Sequence, residues 1–211
     1  MPQPSRAPLA LVVAPPRRGV TDAELALALA AGDDWAIAEA WQRFAPLVLS
    51  TAERTLGSKS DAEDLAQEVF LRLFRKIGTL RDPASLRSFV YSVAVRTLKS
   101  ELRYRRLKAW LTFRGPESLP DSSHTSPNLE ARDLLQRLYA LLDRLSPRDR
   151  LVFTLRRAES MTVEEIAATM GISVSTVKRS LSHGTARVSH WIAGEPALAE
   201  LLDRGLERKR E

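Results

Sequence analysis

The sequence predicts an all-α protein: two helical domains joined by a flexible linker, the second containing a helix-turn-helix. Three observations predict it. Across the 211 residues no segment sustains the alternation of a half-buried strand, whereas apolar residues recur at helical spacing. Helix-start signals recur along the chain, each a Ser, Thr or Asp followed by Pro or by an acid in the first turn. Between Leu111 and Asn128 the pattern breaks at Gly115, Pro116, Pro120, Pro127 and the run DSSHTSP, which reads as a polar, semi-extended linker. The expected division is a disordered tail at 1–20, a first domain at 21–108, a linker at 109–128, a second domain at 129–193 and a tail at 194–211.

Residues 1–20 are rich in Pro, Ala and Arg without periodicity, hence the expected disorder. Thr21 and Glu24 form a capping box opening a helix with Leu25, Leu27 and Leu29. Gly32 to Asp34 breaks it. Asp34 is placed as the cap of a second helix holding Trp35, Ile37, Trp41, Phe44 and Val48, with a kink expected at Pro46. Gly57-Ser58 ends that helix.

The next helix, Ser60 to Ile77, is the most informative stretch. Ser60 and Glu63 read as its capping box, with Asp61 and Asp64 where the helix dipole favours acids. At about 100° per residue, Ala62, Leu65, Ala66, Val69, Phe70, Leu73 and Ile77 share one face, the core face. The opposite face carries Asp64, Gln67, Glu68, Leu71 and Arg75. It is either a solvated surface or a face shaped to meet a protein.

Gly78 to Ser85 reads as a loop. Asp82-Pro83 starts a helix running to about Lys108, with Leu86, Phe89, Val90, Val93, Ala94 and Thr97 inward. Its outer face aligns Ser92, Arg96, Lys99, Arg103 and Arg106 at steps of four and three. Such cations repel one another unless a polyanion lies alongside; the other reading is a solvated basic face. Tyr104 and Trp110 nearby suit either base stacking or packing.

In the second half a helix from Leu129 to Leu145 turns Leu134, Leu135, Leu138, Leu141 and Leu142 inward. Ser146-Pro147 starts another. Thr162 and Glu165 cap a short helix that Gly171 ends, and Ser173 caps the last one, with Val174, Val177, Leu181 and Val188 inward. Val163 to Leu181 thus has the helix-turn-helix pattern, a DNA-binding unit or a structural hairpin. On its second helix Ser175, Thr176, Arg179, Ser182 and His183 face outward, Arg179 best suited to guanine and Lys178 to a phosphate. Gly184 is expected to weaken that helix by about 1 kcal/mol relative to Ala.

Composition narrows the chemistry. The net charge of +6 favours polyanionic partners. The absence of cysteine removes disulfides, zinc–thiolate sites and thiol nucleophiles. His124, His183 and His190 lack metal-ligand company, so no metal or cofactor is expected. Leu9 to Ala14 is too short for a membrane span, and a cytoplasmic protein is expected. A metal-dependent nuclease using Asp61, Glu63, Asp64 and Glu68 is a weak alternative. Asp64 and Glu68 are at i, i+4, but Glu63 points about 100° away and no second carboxylate cluster or histidine base stands by.

Three blocks then occur in order: DAEDLAQEVFLRLFRKI, LRSFVYSVAVRTLKSELRYRR and, after the linker, LLDRLSPRDRLVFTLRRAESMTVEEIAATMGISVSTVKRSL. Together, over about residues 21–192, they resemble RNA polymerase sigma factors of the extracytoplasmic-function type. The resemblance implies a non-enzymatic initiation factor of two domains, called two and four, that binds core RNA polymerase and promoter DNA. It places Asp61, Asp64, Gln67, Glu68 and Leu71 on the clamp helices of the largest subunit, with the flap of the second-largest subunit as a further contact. It assigns Ser85, Arg87, Ser92, Arg96, Lys99, Arg103 and Arg106 to the −10 element, with capture of an unpaired base near Leu80 to Ser88. Ser175, Thr176, Lys178, Arg179, Ser182 and His183 fall to the −35 element. An anti-sigma factor is implied as a further partner, and no stable homo-oligomer. Two departures matter: the family often has Asn where this chain has Arg96, and Ser-Arg where it has Arg179-Ser180, which turns the arginine by about 100°. The −10 and −35 preferences therefore do not follow from the resemblance. A DNA-binding regulator using only residues 129–192 is the alternative reading.

Overall fold

Thr21 opens the first helix through the expected capping box: its side chain accepts from the Glu24 amide while Glu24 accepts from the Thr21 amide at 2.8 Å. From there the computed structural model describes residues 19–111, 129–195 and 198. The expected tail and linker lie outside those residues, apart from residues 19–20 and 109–111. Eight α-helices follow in order among the described residues: α1 Asp22–Ala31, α2 Asp34–Leu56, α3 Lys59–Lys76, α4 Leu86–Leu111, α5 Leu129–Asp143, α6 Pro147–Arg157, α7 Val163–Met170 and α8 Val174–Ala193. No strand occurs among them, as the missing alternation requires.

The helix boundaries correct several expectations. The α3 cap is Ser58, whose hydroxyl accepts from the Asp61 amide; Ser60 and Glu63 are exposed and make no box. The pattern S-x-x-acid occurs twice here in overlapping register, and the extended backbone at Ser58 decides for the earlier one. In α2 the cap position falls to Asp33, whose carboxylate takes the Trp35 indole N–H instead of a backbone amide. Pro46 lies inside α2, which continues past it to Leu56, with Phe44, Ala45 and Val48 buried around it. The segment 78–85 is not a plain loop: it holds parts of two 3-10 turns, Ile77–Thr79 and Pro83–Ser85. Asp82 organises the second by accepting from the Ala84 amide at 3.1 Å and the Ser85 hydroxyl at 2.6 Å. The basic helix continues past Lys108 to Leu111.

All seven residues assigned to the α3 core face are buried. Phe70 anchors them, its ring centroid 4.6 Å from Trp41 and 5.9 Å from Phe74. Leu135, read as inward, is exposed instead, and Leu27 is exposed as well. Leu27 faces away from the α1 neighbours, and α5 has fewer neighbours than its leucine spacing demands. Leu198, in the tail after Gly194, is buried with Leu141, Leu142, Leu145, Val188 and Ile192.

The main core crosses between the two halves of the chain. It joins residues of α1–α4 to Leu151, Val152, Leu155, Ile166, Ala167, Met170 and Val177. Correspondingly, α4 touches both α6 and α7, and α2 touches α6. Three α4 residues outside its expected inner face, Val95, Leu98 and Leu102, are buried in this shared core.

Candidate protein and nucleic-acid interfaces

The outward face of α3 divides into occupied and free groups. Asp61 is half-buried and accepts from Arg105 Nη2 at 2.9 Å, while Arg105 Nε also donates to Glu101 at 2.8 Å. This ties the start of α3 to the last turns of α4. Glu68 is held by Arg72 Nε at 2.5 Å, one turn away. Glu63, Asp64, Gln67 and Leu71 stand exposed, with no ion pair recorded for Glu63 or Asp64 among the described residues. The expected set therefore splits: Asp64, Gln67 and Leu71 face solvent, Asp61 and Glu68 are engaged, and Glu63 joins the free face because it does not cap. Leu71 is 51% exposed in the middle of it. No group of three or more His, Cys, Asp or Glu with metal-binding arrangement occurs among the described residues.

On α4 the structure brings the cationic stripe together as its spacing requires. Arg96, Arg103 and Arg106 are exposed, and Ser92 and Lys99 half-buried. Burial pushes the Lys99 ammonium below its ordinary value, and the neighbouring charges of Arg103 and Arg148 push it the same way. Ser85 is half-buried on the Asp82 turn and Arg87 exposed just beyond it.

The helix-turn-helix forms from α7 and α8. Thr162 caps α7 reciprocally with Glu165, and Gly171 takes the left-handed conformation, φ +63, that the tight turn needs. Ser173 then caps α8 by accepting from the Thr176 amide at 3.2 Å. Ser175, Lys178, Arg179, Ser182 and His183 are exposed on α8, and Thr176 half-exposed. Ser180 is buried, which fixes Arg179 outward.

Two features of α8 were not visible in sequence. His183 Nδ1 lies 3.0 Å from Asp149 Oδ2 on α6, so this residue is tethered to its scaffold. Gly184 is a contact residue: a Cβ there would sit 3.6 Å from the Asp149 carbonyl oxygen and 3.7 Å from its Cβ. Those are ordinary van der Waals distances, so Gly184 lies where α6 and α8 cross without the crossing requiring a glycine. Burial raises the Asp149 pKa, but hydrogen bonds from Ser146, His183 and Ser180 outweigh it and hold the carboxyl below its ordinary 3.8. Its folded value is depressed, so its stabilisation is complete above 3.8 and is lost as pH falls below it. Acid titration followed by far-ultraviolet circular dichroism is expected to show a transition there that Asp149→Asn shifts to weaker pH dependence.

Comparison with known proteins matches the surfaces to a family. The family profile Sigma-70 region 2 matches residues 40–111, and Sigma-70, region 4 matches residues 135–188. The RNA polymerase sigma-E factor of Streptomyces coelicolor is 31% identical over 77% of this chain and 89% of its own length. The chain belongs to the extracytoplasmic-function sigma factors. As such a sigma factor it binds core RNA polymerase and promoter DNA and directs transcription initiation. The ferric citrate uptake sigma factor FecI of Escherichia coli is 36% identical over 60% of this chain and 73% of its own length. The fold of this sigma factor resembles that of CnrH in complex with the cytosolic domain of CnrY. There the TM-score is 0.57 at 22% identity, covering 82% of this chain and 98% of that one. It also resembles the sigma factor RpoE in complex with the anti-sigma factor NepR from Bartonella quintana, with TM-score 0.55, 19% identity, and 74% and 95% coverage. The region 2 match speaks against a regulator built from residues 129–192 alone. No helix among the described residues of the sigma factor is long and apolar enough to cross a membrane.

Proposed function

We propose that the surfaces of this sigma factor divide the work of initiation between them. The exposed face of α3, with Glu63, Asp64, Gln67 and Leu71, docks on the clamp helices of the largest polymerase subunit; Asp61 and Glu68 hold that face in place through Arg105 and Arg72. The stripe Ser92, Arg96, Lys99, Arg103 and Arg106, with Ser85 and Arg87 at its start, follows the −10 region and steadies an unpaired strand. Ser175, Thr176, Lys178, Arg179 and Ser182 enter the major groove at the −35 element, and His183 reaches it from its Asp149 tether. Residues 21–108 and 129–193 act as the two units, joined by 109–128, and the second also meets the flap of the second-largest subunit. The factor itself makes and breaks no bond, works as a monomer in the cytoplasm, and is restrained by an anti-sigma factor.

The observation that carries this reading is the segregation of charge. A free acidic and apolar face lies on α3, while the exposed cations suited to DNA lie on α4 and α8. Abortive transcription with reconstituted core polymerase on a selected promoter tests it, and a chain that never associates with core would sink it. Within that assay Arg179→Ala is expected to cost about 1–3 kcal/mol of discrimination at a single −35 base pair. Lys178→Ala is expected to weaken binding evenly across sequences and to lower the salt dependence by about one unit.

A further inference from the structure

We infer that His183 is a specificity-determining residue that reads an amino base. Held through Nδ1 by Asp149, its imidazole offers Nε2 to the major groove as a hydrogen-bond acceptor and selects adenine or cytosine over guanine or thymine at one position of the −35 element. The inference rests on the placement of α8 in the major groove proposed above.

The polarity of the ring follows from what holds it. His183 Nδ1 lies 3.0 Å from Asp149 Oδ2. An ionised carboxylate has no proton to give, so in the neutral ring Nδ1 carries the hydrogen and donates it. Nε2 is then left with a lone pair and no proton. No partner for Nε2 is recorded among the described residues.

Asp149 is built to impose this state. It stands in the first turn of α6, where the helix dipole favours a negative charge. Ser146 and Ser180 also hydrogen-bond its side chain, one from its own helix cap and one from α8, three residues before His183. The Asp149 side chain is 11% exposed and that of His183 55% exposed. One edge of the imidazole is thus fixed in the α6–α8 contact while the ring itself stands open to a ligand.

The ring also stands in a reading row. Thr176, Arg179 and His183 follow one another at steps of three and four and share the outward face of α8. His183 lies about 6 Å beyond Arg179 along the helix axis, roughly two base-pair steps. In the major groove adenine N6 and cytosine N4 are donors, whereas guanine O6 and N7 and thymine O4 are acceptors. A guanidinium, which only donates, suits guanine or thymine. An imidazole fixed as an acceptor suits adenine or cytosine, and against the other two it sets lone pair against lone pair with both groups unpaired. Arg179 and His183 are therefore complementary readers, one for a keto base and one for an amino base.

The test uses holoenzyme reconstituted with core polymerase and a selected promoter varied to all four bases at each −35 position, at about pH 8.5, where a free imidazole is neutral. The wild type is expected to prefer A or C over G or T by about 3–10-fold at one position, as one hydrogen bond made or left unpaired would give. That position should lie roughly two steps from the one that Arg179→Ala relaxes. His183→Ala is expected to abolish the preference, and His183→Arg, a donor, to turn it toward guanine. Asp149→Asn offers Nδ1 a donor as readily as an acceptor and is expected to remove most of the preference, the loss falling on the A and C promoters. Weakening of all four bases alike by Asp149→Asn would overturn its positioning role. Nitrogen-15 NMR of the free full-length chain reads the tautomer directly, the His183 signals being those missing in His183→Ala. The proton is expected on Nδ1 in the wild type and over both ring nitrogens in Asp149→Asn. A wild-type proton on Nε2 overturns the inference, as does a preference for G or T at the position that His183→Ala relaxes. If Arg179→Ala alters base preference and His183→Ala does not, this inference alone falls. If neither alters any, the placement of α8 in the groove falls and takes this inference with it.

Discussion

Leu71→Asp is expected to weaken binding to core RNA polymerase by about 30-fold or more while leaving the thermal unfolding of the sigma factor nearly unchanged. Leu71 is half-exposed and centred on α3 between Asp64, Gln67 and Arg75, so it makes little contribution to the core. An apolar residue at the centre of a docking patch, ringed by polar groups that exclude water, is where binding energy concentrates, at about 2 kcal/mol or more per residue. Placing a carboxylate there forces a charge into a desolvated contact. Its cost to the isolated helix is only about 0.5 kcal/mol, the difference in propensity. Competition against labelled wild-type factor for core polymerase reads the effect. Unchanged affinity would remove α3 from the polymerase interface.

Phe70→Ala, one residue earlier, is expected to do the opposite. It should lower stability by about 3–5 kcal/mol, through lost burial and a cavity between Trp41 and Phe74. Against a total of about 5–15 kcal/mol, that leaves a marginal fold and a melting temperature lower by about 10 °C or more. Thermal melts followed by circular dichroism measure it; a drop of only a degree or two would mean that Trp41 and Phe74 collapse into the space. The pair of variants separates folding from docking on a single turn of one helix, because neighbouring residues point about 100° apart.

Much of this was legible beforehand, for a physical reason that differs by feature. The seven buried residues of α3 follow from a period of 3.6 against one apolar surface. The caps at Thr21, Ser146, Thr162 and Ser173 form as read, since each depends only on atoms within three residues; Asp82, read as the cap of the α4 helix, instead caps the 3-10 turn that precedes it. The exposed face of α8 also follows from local phase. Ser58 was missed because Ser60 offers the same motif two residues later, and local sequence does not rank them. The choice had a consequence: Glu63, read as a cap, is a free member of the α3 face.

What the sequence by itself determined is the set of helices, the helix-turn-helix and the cationic stripe, which rest on spacing along one chain, and the resemblance to the family, which rests on three motif blocks in order. The tertiary structure alone decided which charges are available. Asp61 is taken by Arg105 and His183 by Asp149, each partner coming from another helix. It also decided that Val95, Leu98 and Leu102 are buried, that Gly184 marks a helix crossing, and that Arg150 caps α2 across the linker. Each is a contact between segments far apart in the chain, and periodicity, which records only the direction a side chain leaves its own helix, does not carry what it meets there.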